Sequence, residues 1–490
     1  MKEMVSDNIV AGSVLTGQFF TGEWSSSKSA FEAVEPATGA VIGKVGLASA
    51  VDIGSASANA RQAQVSWAAT APDARENILL KACEVGERYR DDIVTWIMRE
   101  SGAVRLKAEI ELAGTLKAIR LAAAMPSQAQ GNVLPSPGGR ISFVRRRPLG
   151  VIGVISPFNF PLYLAERAIA PALAVGNAVV VKPDLRTAIC GGFVIARLFE
   201  LAGVPKGVLQ VLPGREDAGE ALCKDPNVAM IQFTGSSRAG RMVGQVAGQH
   251  LKKVSLELGG KNSLIILDDA DLDTAVRAAA FSAFFHQGQV CMSAGRILVQ
   301  RNIFDAFSDA LVRYAKTLKV GNPLDPSVAL GPMINQHQLN HALTLIDRSV
   351  TEGARLLTGG KAEGLFLQPS VLAEISPTNP AYRDELFAPV AVLVPFETDV
   401  QAGQMANDTE YGLSAVIISR NIGRAMAIGE QLRTGLLHIN DQTINDDVVN
   451  PFGGSGTSGN GTSIGGIANW EEFTQWQWVT IKAELQPYSL

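Results

Sequence analysis

The sequence is poor in cysteine: Cys83, Cys190, Cys223 and Cys291 are the four in 490 residues, widely scattered and with no Cys-x-x-Cys pair. That argues against a disulfide framework and a zinc site, and for a reducing compartment. The five histidines form no ligand cluster. Long hydrophobic runs are missing as well. The longest, near residues 168–181, is too short to span a bilayer and is broken by Pro171 and Asn177. The opening Met1-Lys-Glu-Met-Val-Ser-Asp-Asn8 is polar and lacks the apolar core of a signal peptide. Net charge is −4, from 43 basic and 47 acidic residues with no basic block, which argues against a nucleic-acid surface. There is no internal repeat and no low-complexity tail. A soluble, cytoplasmic protein is expected. With 47% hydrophobic residues, 18% charged and 48 glycines, the composition is that of an ordinary globular chain, long enough for two or three domains.

What is present centres on the stretch from Phe281 to Gln300, which holds Cys291 and runs at once into a strand-like segment, Arg296 to Gln300. Gly288 and small residues leave the sulfur approachable. Thirty-four residues earlier stands Glu257, in the apolar run Leu256-Glu-Leu-Gly-Gly-Lys261. A part-desolvated carboxylate there could be held near neutral pKa as a general base. A thiolate and a carboxylate base suit covalent catalysis on a carbonyl carbon. Each also has a plain reading: a lone cysteine is usually a small core residue, and a glutamate before two glycines can simply end a strand. Spacing alone does not decide between them.

Along the chain, residues 1–50 show turn signals between short strands. Helical periodicity dominates from Val51 to Ala124, with Arg61, Arg75 and Arg99 read as part of a solvated face. Residues 131–147 read as strand, turn and alternating basic strand. A βα alternation follows, with short β-branched runs at 150–155, 178–181, 208–211, 228–233 and 254–256. That predicts a parallel sheet covered on both faces, with a nucleotide bound beyond the carboxyl ends of its strands. Lys182 directly follows one strand. Gly235 and Ser236 follow another at a helix start, where backbone N–H groups and a hydroxyl could meet a pyrophosphate. Gly454-Ser-Gly-Thr-Ser-Gly459 matches GxGxxG but has no strand before it and no βαβ unit after it, so it is not a dinucleotide fingerprint. A second α/β region is predicted with strands at 296–300, 354–357, 390–395, 414–419 and 435–440 and helices such as 302–318 and 336–352. The tail, 472–481, alternates like an edge strand, which invites pairing with another subunit.

Leu256-Glu-Leu-Gly-Gly-Lys-Asn262 and Gln287-Gly-Gln-Val-Cys291 resemble the paired signatures of the NAD(P)-dependent aldehyde dehydrogenase superfamily. Ser156-Pro-Phe-Asn-Phe-Pro161, Phe233-Thr-Gly-Ser236, Glu385-Leu-Phe-Ala-Pro389 and Pro451-Phe-Gly-Gly454 recur there in the same order, so the resemblance runs from about Gly39 to Trp478. His438-Ile-Asn-Asp-Gln442 and the tail look most like the benzaldehyde and vanillin dehydrogenase branch. The resemblance implies an α/β fold with a Rossmann-type cofactor domain (1–125 and 148–258), a catalytic domain (259–450), and an oligomerisation hairpin and tail strand (126–147 and 470–490). It also implies a homodimer or homotetramer and a small aldehyde as substrate.

By the same resemblance Cys291 is the nucleophile, forming a thiohemiacetal and then a thioester. Asn159 donates to the oxyanion beside the Cys291 backbone N–H, one such donor being worth about 3 kcal/mol. Glu257 activates the hydrolytic water. Lys182 falls on the adenosine-ribose position, Ser236 with Gly235 on the pyrophosphate, and Glu385 with Phe387 on the nicotinamide ribose. Ile155, Ser156, Phe158 and Leu258 line the cofactor site. Leu185 replaces a glutamate that many NAD-preferring members use on the ribose 2′-hydroxyl, and Arg186 is adjacent, so NAD is expected with NADP tolerated. Ser463 replaces a second glutamate found in some members, which leaves Glu257 to serve alone. The GxGxxG match becomes a loop beside the active site.

Phe160, Leu164, Val290, Met292 and Phe452 fall on pocket positions and suit an aromatic or long aliphatic aldehyde. Arg167 opposes that reading. It resembles the carboxylate grip of succinate-semialdehyde dehydrogenases, unless it is a structural ion pair with Glu166 or another nearby acid. Three rivals are weaker. An acylating enzyme and a non-catalytic homologue would each lack a catalytic residue that is present here. A cysteine hydrolase would rely on His286, five residues upstream on a predicted helix.

Overall fold

The computed structural model describes residues 8–485, 487 and 488. Residues 1–7, which make up most of the polar opening segment, and residues 486, 489 and 490 of the tail lie outside the described residues. The helical region consists of Ala50–Ala69, Pro72–Arg88, Arg90–Ser101 and Arg105–Ala123. Local chemistry sets their ends: a Ser49/Asp52 capping box opens the first, and Pro72 opens the second. The solvated-face expectation holds for Arg61 alone. Arg75 is buried and donates to the carbonyls of Ala174 and Thr70, and Arg99 pairs with Glu35 at 2.9 Å. Periodicity separates an apolar face from a polar one but does not show which polar positions another segment will cover.

The first sheet has nine strands. Its centre is five parallel strands in the order Lys253–Glu257, Val228–Thr234, Val151–Ile155, Ala178–Lys182, Leu209–Val211. Thr16–Phe20 joins antiparallel to the last of these, at Phe20 opposite Val211, and Val41–Gly46 and Ala30–Val34 continue outward. Val151–Ile155 is buried along its whole length, as expected for a parallel strand covered on both faces. The register levels the carboxyl ends: Ile155 lies opposite Lys182 and Phe233, and Thr234 lies opposite Glu257.

The second sheet has seven strands, in the order Arg355–Thr358, Ser370–Ala373, Val390–Phe396, Ala294–Gln300, Asn262–Ile266, Ser414–Ile418, Leu436–Ile439. All neighbours are parallel except the first pair. Ser370–Ala373 and Asn262–Ile266 are absent from the strands predicted by pattern. The first is only four residues long, and the second is hidden behind the glycines of the Leu-Glu-Leu-Gly-Gly motif. That motif is therefore the crossing between the sheets: Glu257 ends a strand of one, and Asn262 begins a strand of the other.

A third sheet of three strands sets Gly131–Val133 and Thr474–Ile481 on either side of Ile141–Pro148. The tail strand pairs over eight positions, from Thr474 opposite Pro148 to Ile481 opposite Ile141. One of its edges is thus taken within the chain, and only the other is left for a partner. No helix among the described residues is long and apolar enough to cross a membrane.

Candidate active site

Glu257 sits at the carboxyl end of its strand, 2% exposed, with neither carboxylate oxygen hydrogen-bonded. Burial holds its pKa well above the ordinary carboxylate value. Arg167 pulls the value back, while the charges of Asp446 and Glu472 add to the rise. Ser463 brings no carboxylate here, but Glu472 does, so Glu257 is not electrostatically alone. The loop carrying the GxGxxG match lies against it: Gly459 bridges to Glu257, and Leu258 N–H donates to Ser458 O at 2.8 Å.

Cys291 is half-buried, whereas the other three cysteines are buried. The helix Leu272–Phe284, capped by Asp271, ends short of it. His286, Gln287 and Gly288 then take left-handed φ values of +49°, +54° and +64°. Strain of that kind persists only where surroundings impose it. Here Gln287 Nε2 donates to the carbonyls of Gly102 (2.8 Å) and Pro332 (3.0 Å), and Gln289 Oε1 accepts Ile334 N–H at 3.0 Å. His286 is therefore on a turn, not on the predicted helix. Its buried ring nitrogens have no partner, burial and Lys107 hold it neutral, and no hydrogen bond joins it to Cys291. A cysteine–histidine hydrolase is not built here.

Asn262 ties the two signatures together. Its Nδ2 donates to the carbonyls of Cys291 and Ser293, both at 2.8 Å, and its Oδ1 accepts Ser414 N–H at 2.9 Å. The backbones approach so closely that a Cβ on Gly260 would lie 2.4 Å from Cys291 O. Burial, then Glu385 and Glu257, push the Cys291 thiol up to about 12.

Asn159 is 3% exposed on the loop before the helix Pro161–Ala174, and its side-chain amide makes no hydrogen bond with another described residue. That helix has no side-chain cap of its own. Buried Glu111 supplies one from afar: Oε1 accepts the N–H groups of Leu162 (2.9 Å) and Tyr163 (3.3 Å), while Oε2 meets Lys107. Lys107 Nζ in turn lies 4.3 Å from the centre of the Phe160 ring. No local sequence signal reveals this bracket.

Phe160, Val290, Met292 and Phe452 gather with Cys291 in one apolar cluster. Phe285 and Leu413 also belong to it and were not among the predicted positions; Phe285 sits six residues before Cys291 in the central stretch. Leu164 is buried but lies outside the cluster. The Arg167 guanidinium stands 4.9 Å from the centre of the Phe452 ring and is ion-paired with Asp446, an acid absent from the predicted site. The neighbouring Glu166 is not its partner. Glu166 is fully buried with both oxygens unpaired.

The cofactor positions meet at the carboxyl ends of the first sheet. The Ser156 hydroxyl is buried with no partner, an orphan that a ligand's polar group would satisfy. Lys182 has only a 3.5 Å contact to Pro183 O, and burial lowers its pKa. Glu385 accepts Gly260 N–H at 3.0 Å and is raised to about 7 by burial. Phe387, at φ +51°, meets Phe158 edge-on at 5.8 Å. Leu258 packs over the helix Ser237–Gln249 at Gly240. One expectation needs correction: Gly235 N–H donates to Glu257 O at 3.0 Å and is engaged within the fold, whereas Ser236 Oγ accepts Ala239 N–H at the start of its own helix and keeps its hydroxyl proton to donate to a ligand. Arg186 pairs with Asp184, two residues before it, through hydrogen bonds of 2.8 and 2.6 Å, and a third of its side chain stays exposed. Ser156, Lys182 and Glu385 nonetheless fit a ribose- and phosphate-bearing dinucleotide.

A half-buried thiol just after a left-handed turn, a buried unpaired carboxylate and polar groups at the carboxyl ends of a parallel sheet fit a nicotinamide-dependent dehydrogenase. The chain belongs to the aldehyde dehydrogenase family, which it matches over residues 24–479. It is 47% identical over 475 residues to a vanillin dehydrogenase of an Amycolatopsis species, covering 96% of this chain and 98% of that protein. To the NAD(+) benzaldehyde dehydrogenase of Pseudomonas putida it is 42% identical, covering 95% of this chain and 96% of that protein. Among solved structures, betaine aldehyde dehydrogenase of Staphylococcus aureus in complex with NAD+ superposes with a TM-score of 0.94 at 30% identity, covering 97% of each chain. An NADP-dependent enzyme of E. coli gives 0.92 at 32% identity, covering 96% of this chain and 99% of that one. The family and fold class set out from the six motifs are both borne out.

Proposed function

We propose that the protein oxidises an aromatic aldehyde to its carboxylic acid, with NAD as acceptor and NADP tolerated. In this reading the residues around the first sheet (1–125 and 148–258) bind the cofactor, residues 259–450 carry the nucleophile, and 126–147 with 470–490 join subunits of a cytoplasmic homodimer or homotetramer. Cys291 gives up its thiol proton to solvent water as its sulfur attacks the aldehyde carbon, and the oxyanion takes hydrogen bonds from Asn159 and the Cys291 backbone N–H. The bound cofactor supplies the hydride acceptor. Loss of hydride leaves a thioester on Cys291. Glu257 then takes a proton from water, the hydroxide displaces the sulfur, and the acid leaves. Glu257 is suited to this because its carboxylate has no hydrogen bond to give up and its basicity is raised by burial.

The observation that favours an aromatic substrate is the wall around Cys291. It is built of Phe160, Phe285, Val290, Met292, Leu413 and Phe452, and the one nearby guanidinium is already engaged by Asp446. The test is kcat/KM for benzaldehyde against succinate semialdehyde, with Cys291→Ala as control. Benzaldehyde is expected to lead by roughly a hundredfold, about 2.7 kcal/mol in the transition state. Cys291→Ala is expected to abolish turnover while NAD binding and melting temperature persist. A lead for succinate semialdehyde would overturn the substrate class, and turnover by the alanine variant would overturn the nucleophile.

A further inference from the structure

Arg167 is 2% exposed, and its charge is one that Glu257 feels. Its donors are nearly all taken. Nη1 pairs with Asp446 Oδ2 and lies 3.3 Å from the Tyr163 hydroxyl, and Nη2 donates to Ile464 O at 3.0 Å. Only Nε is buried without a partner. Asp446 is held on its other side as well, since Tyr163 Oη donates to the same Oδ2 at 2.9 Å. The pair adjoins the reaction centre: the guanidinium stands over Phe452, which shares the apolar cluster with Cys291, and the Asp446 charge reaches both Cys291 and Glu257.

We propose that Asp446 determines substrate charge: it occupies the guanidinium of Arg167 as a built-in carboxylate and thereby excludes aldehydes that carry a carboxylate of their own. This rests on the aldehyde-oxidation reading above and deepens it. A free buried arginine is a strong carboxylate receptor, because its planar fork binds both oxygens with charge-assisted hydrogen bonds. Here the fork is filled from within. The Asp446 carboxylate, held by both Arg167 and the Tyr163 hydroxyl, is the charge an incoming carboxylate would have to displace. The aspartate also keeps a buried arginine from being left uncompensated, a costly state. Specificity of this kind is set by a repulsive element as much as by an attractive one.

The experiment uses two substrate pairs, each a neutral aldehyde and a carboxylate-bearing analogue: benzaldehyde with 4-carboxybenzaldehyde, and butanal with succinate semialdehyde. For each pair the ratio of kcat/KM, anionic over neutral, is measured for wild type, Asp446→Asn and the double variant Asp446→Asn/Arg167→Gln. The expected result is a rise in both ratios of about tenfold or more in Asp446→Asn, lost in the double variant. An unchanged ratio in a folded Asp446→Asn overturns the proposal. An equal rise in the double variant also overturns it, because Arg167 would then not be the receptor. Should Asp446→Asn fail to fold, the double variant, which leaves no unpaired charge, together with Asp446→Ser provides the comparison. If the aromatic reading is the part that is wrong, the benzaldehyde pair falls silent in every variant while the butanal pair still reports on Asp446.

Discussion

Glu166 and Arg167 are adjacent on one helix, and the protein treats their charges in opposite ways. Arg167 gains a partner across the fold, whereas Glu166 has none and is raised by burial to about 8. A carboxyl whose folded pKa exceeds its unfolded value of 4.5 lends stability fully below pH 4.5 and loses it as pH rises towards 8. In that window the unfolded chain ionises while the folded one stays protonated. The slope reaches about 1.4 kcal/mol per pH unit. Glu166→Gln, which keeps the protonated shape, is expected to abolish that dependence. The difference in melting temperature between the variant and wild type should therefore grow from pH 5 to pH 8, and parallel curves would show that Glu166 is solvated. Sequence placed Glu166 beside a candidate clamp but could not show which of the two neighbours would find a counter-ion. That depends on Asp446, 279 residues beyond Arg167.

At the scale of elements, the turn between the helix Leu272–Phe284 and the strand Ala294–Gln300 carries the most structural constraint. Gly288 has φ +64°, and a Cβ there would come within 2.1 Å of Ala388 O. Gly288→Ala therefore combines backbone strain with a clash against backbone that cannot rotate away. We expect it to lower the melting temperature and to reduce kcat by roughly a hundredfold, since a displacement of about 1 Å at a nucleophile costs that much. Wild-type kcat in the purified variant would show that the turn does not set the position of Cys291. Most helices and strands were legible because their signals are local: apolar residues at three- and four-residue steps for helices, and β-branched runs for buried strands. His286 read as helix because it continues the apolar helical pattern of the residues before it. Its left-handed backbone is imposed by Gln287 reaching Gly102 and Pro332.

For the whole molecule, the small third sheet carries five exposed large apolar residues, Val133, Ile141, Trp476, Trp478 and Ile481, on three short strands. Trp476 is 48% exposed, Trp478 67% and Val133 83%, more than a solitary surface would leave to water. The double variant Trp476→Glu/Trp478→Glu is expected to move the protein to a smaller species in light scattering, with the far-ultraviolet circular dichroism unchanged. An unchanged mass would place the subunit contact elsewhere. The tail strand itself needs no partner to form, since it pairs with Ile141–Pro148 of its own chain.

The sequence by itself determined most strands of the two α/β sheets and the order of the motifs that carry Cys291, Glu257 and Asn159. The strands are written in short-range pattern, as β-branched runs bounded by turns, whereas the roles proposed for the three residues come from the family's motifs. Tertiary structure alone decided which charges are paired. Arg167 met Asp446, Gly235 N–H went to Glu257, and Glu111 capped a helix it does not belong to. The physical reason is that an ionic or hydrogen-bonding group carries no directional signal along the chain. Its partner is whichever complementary group folding brings within about 3 Å, and the cost of burying it unpaired makes that choice decisive.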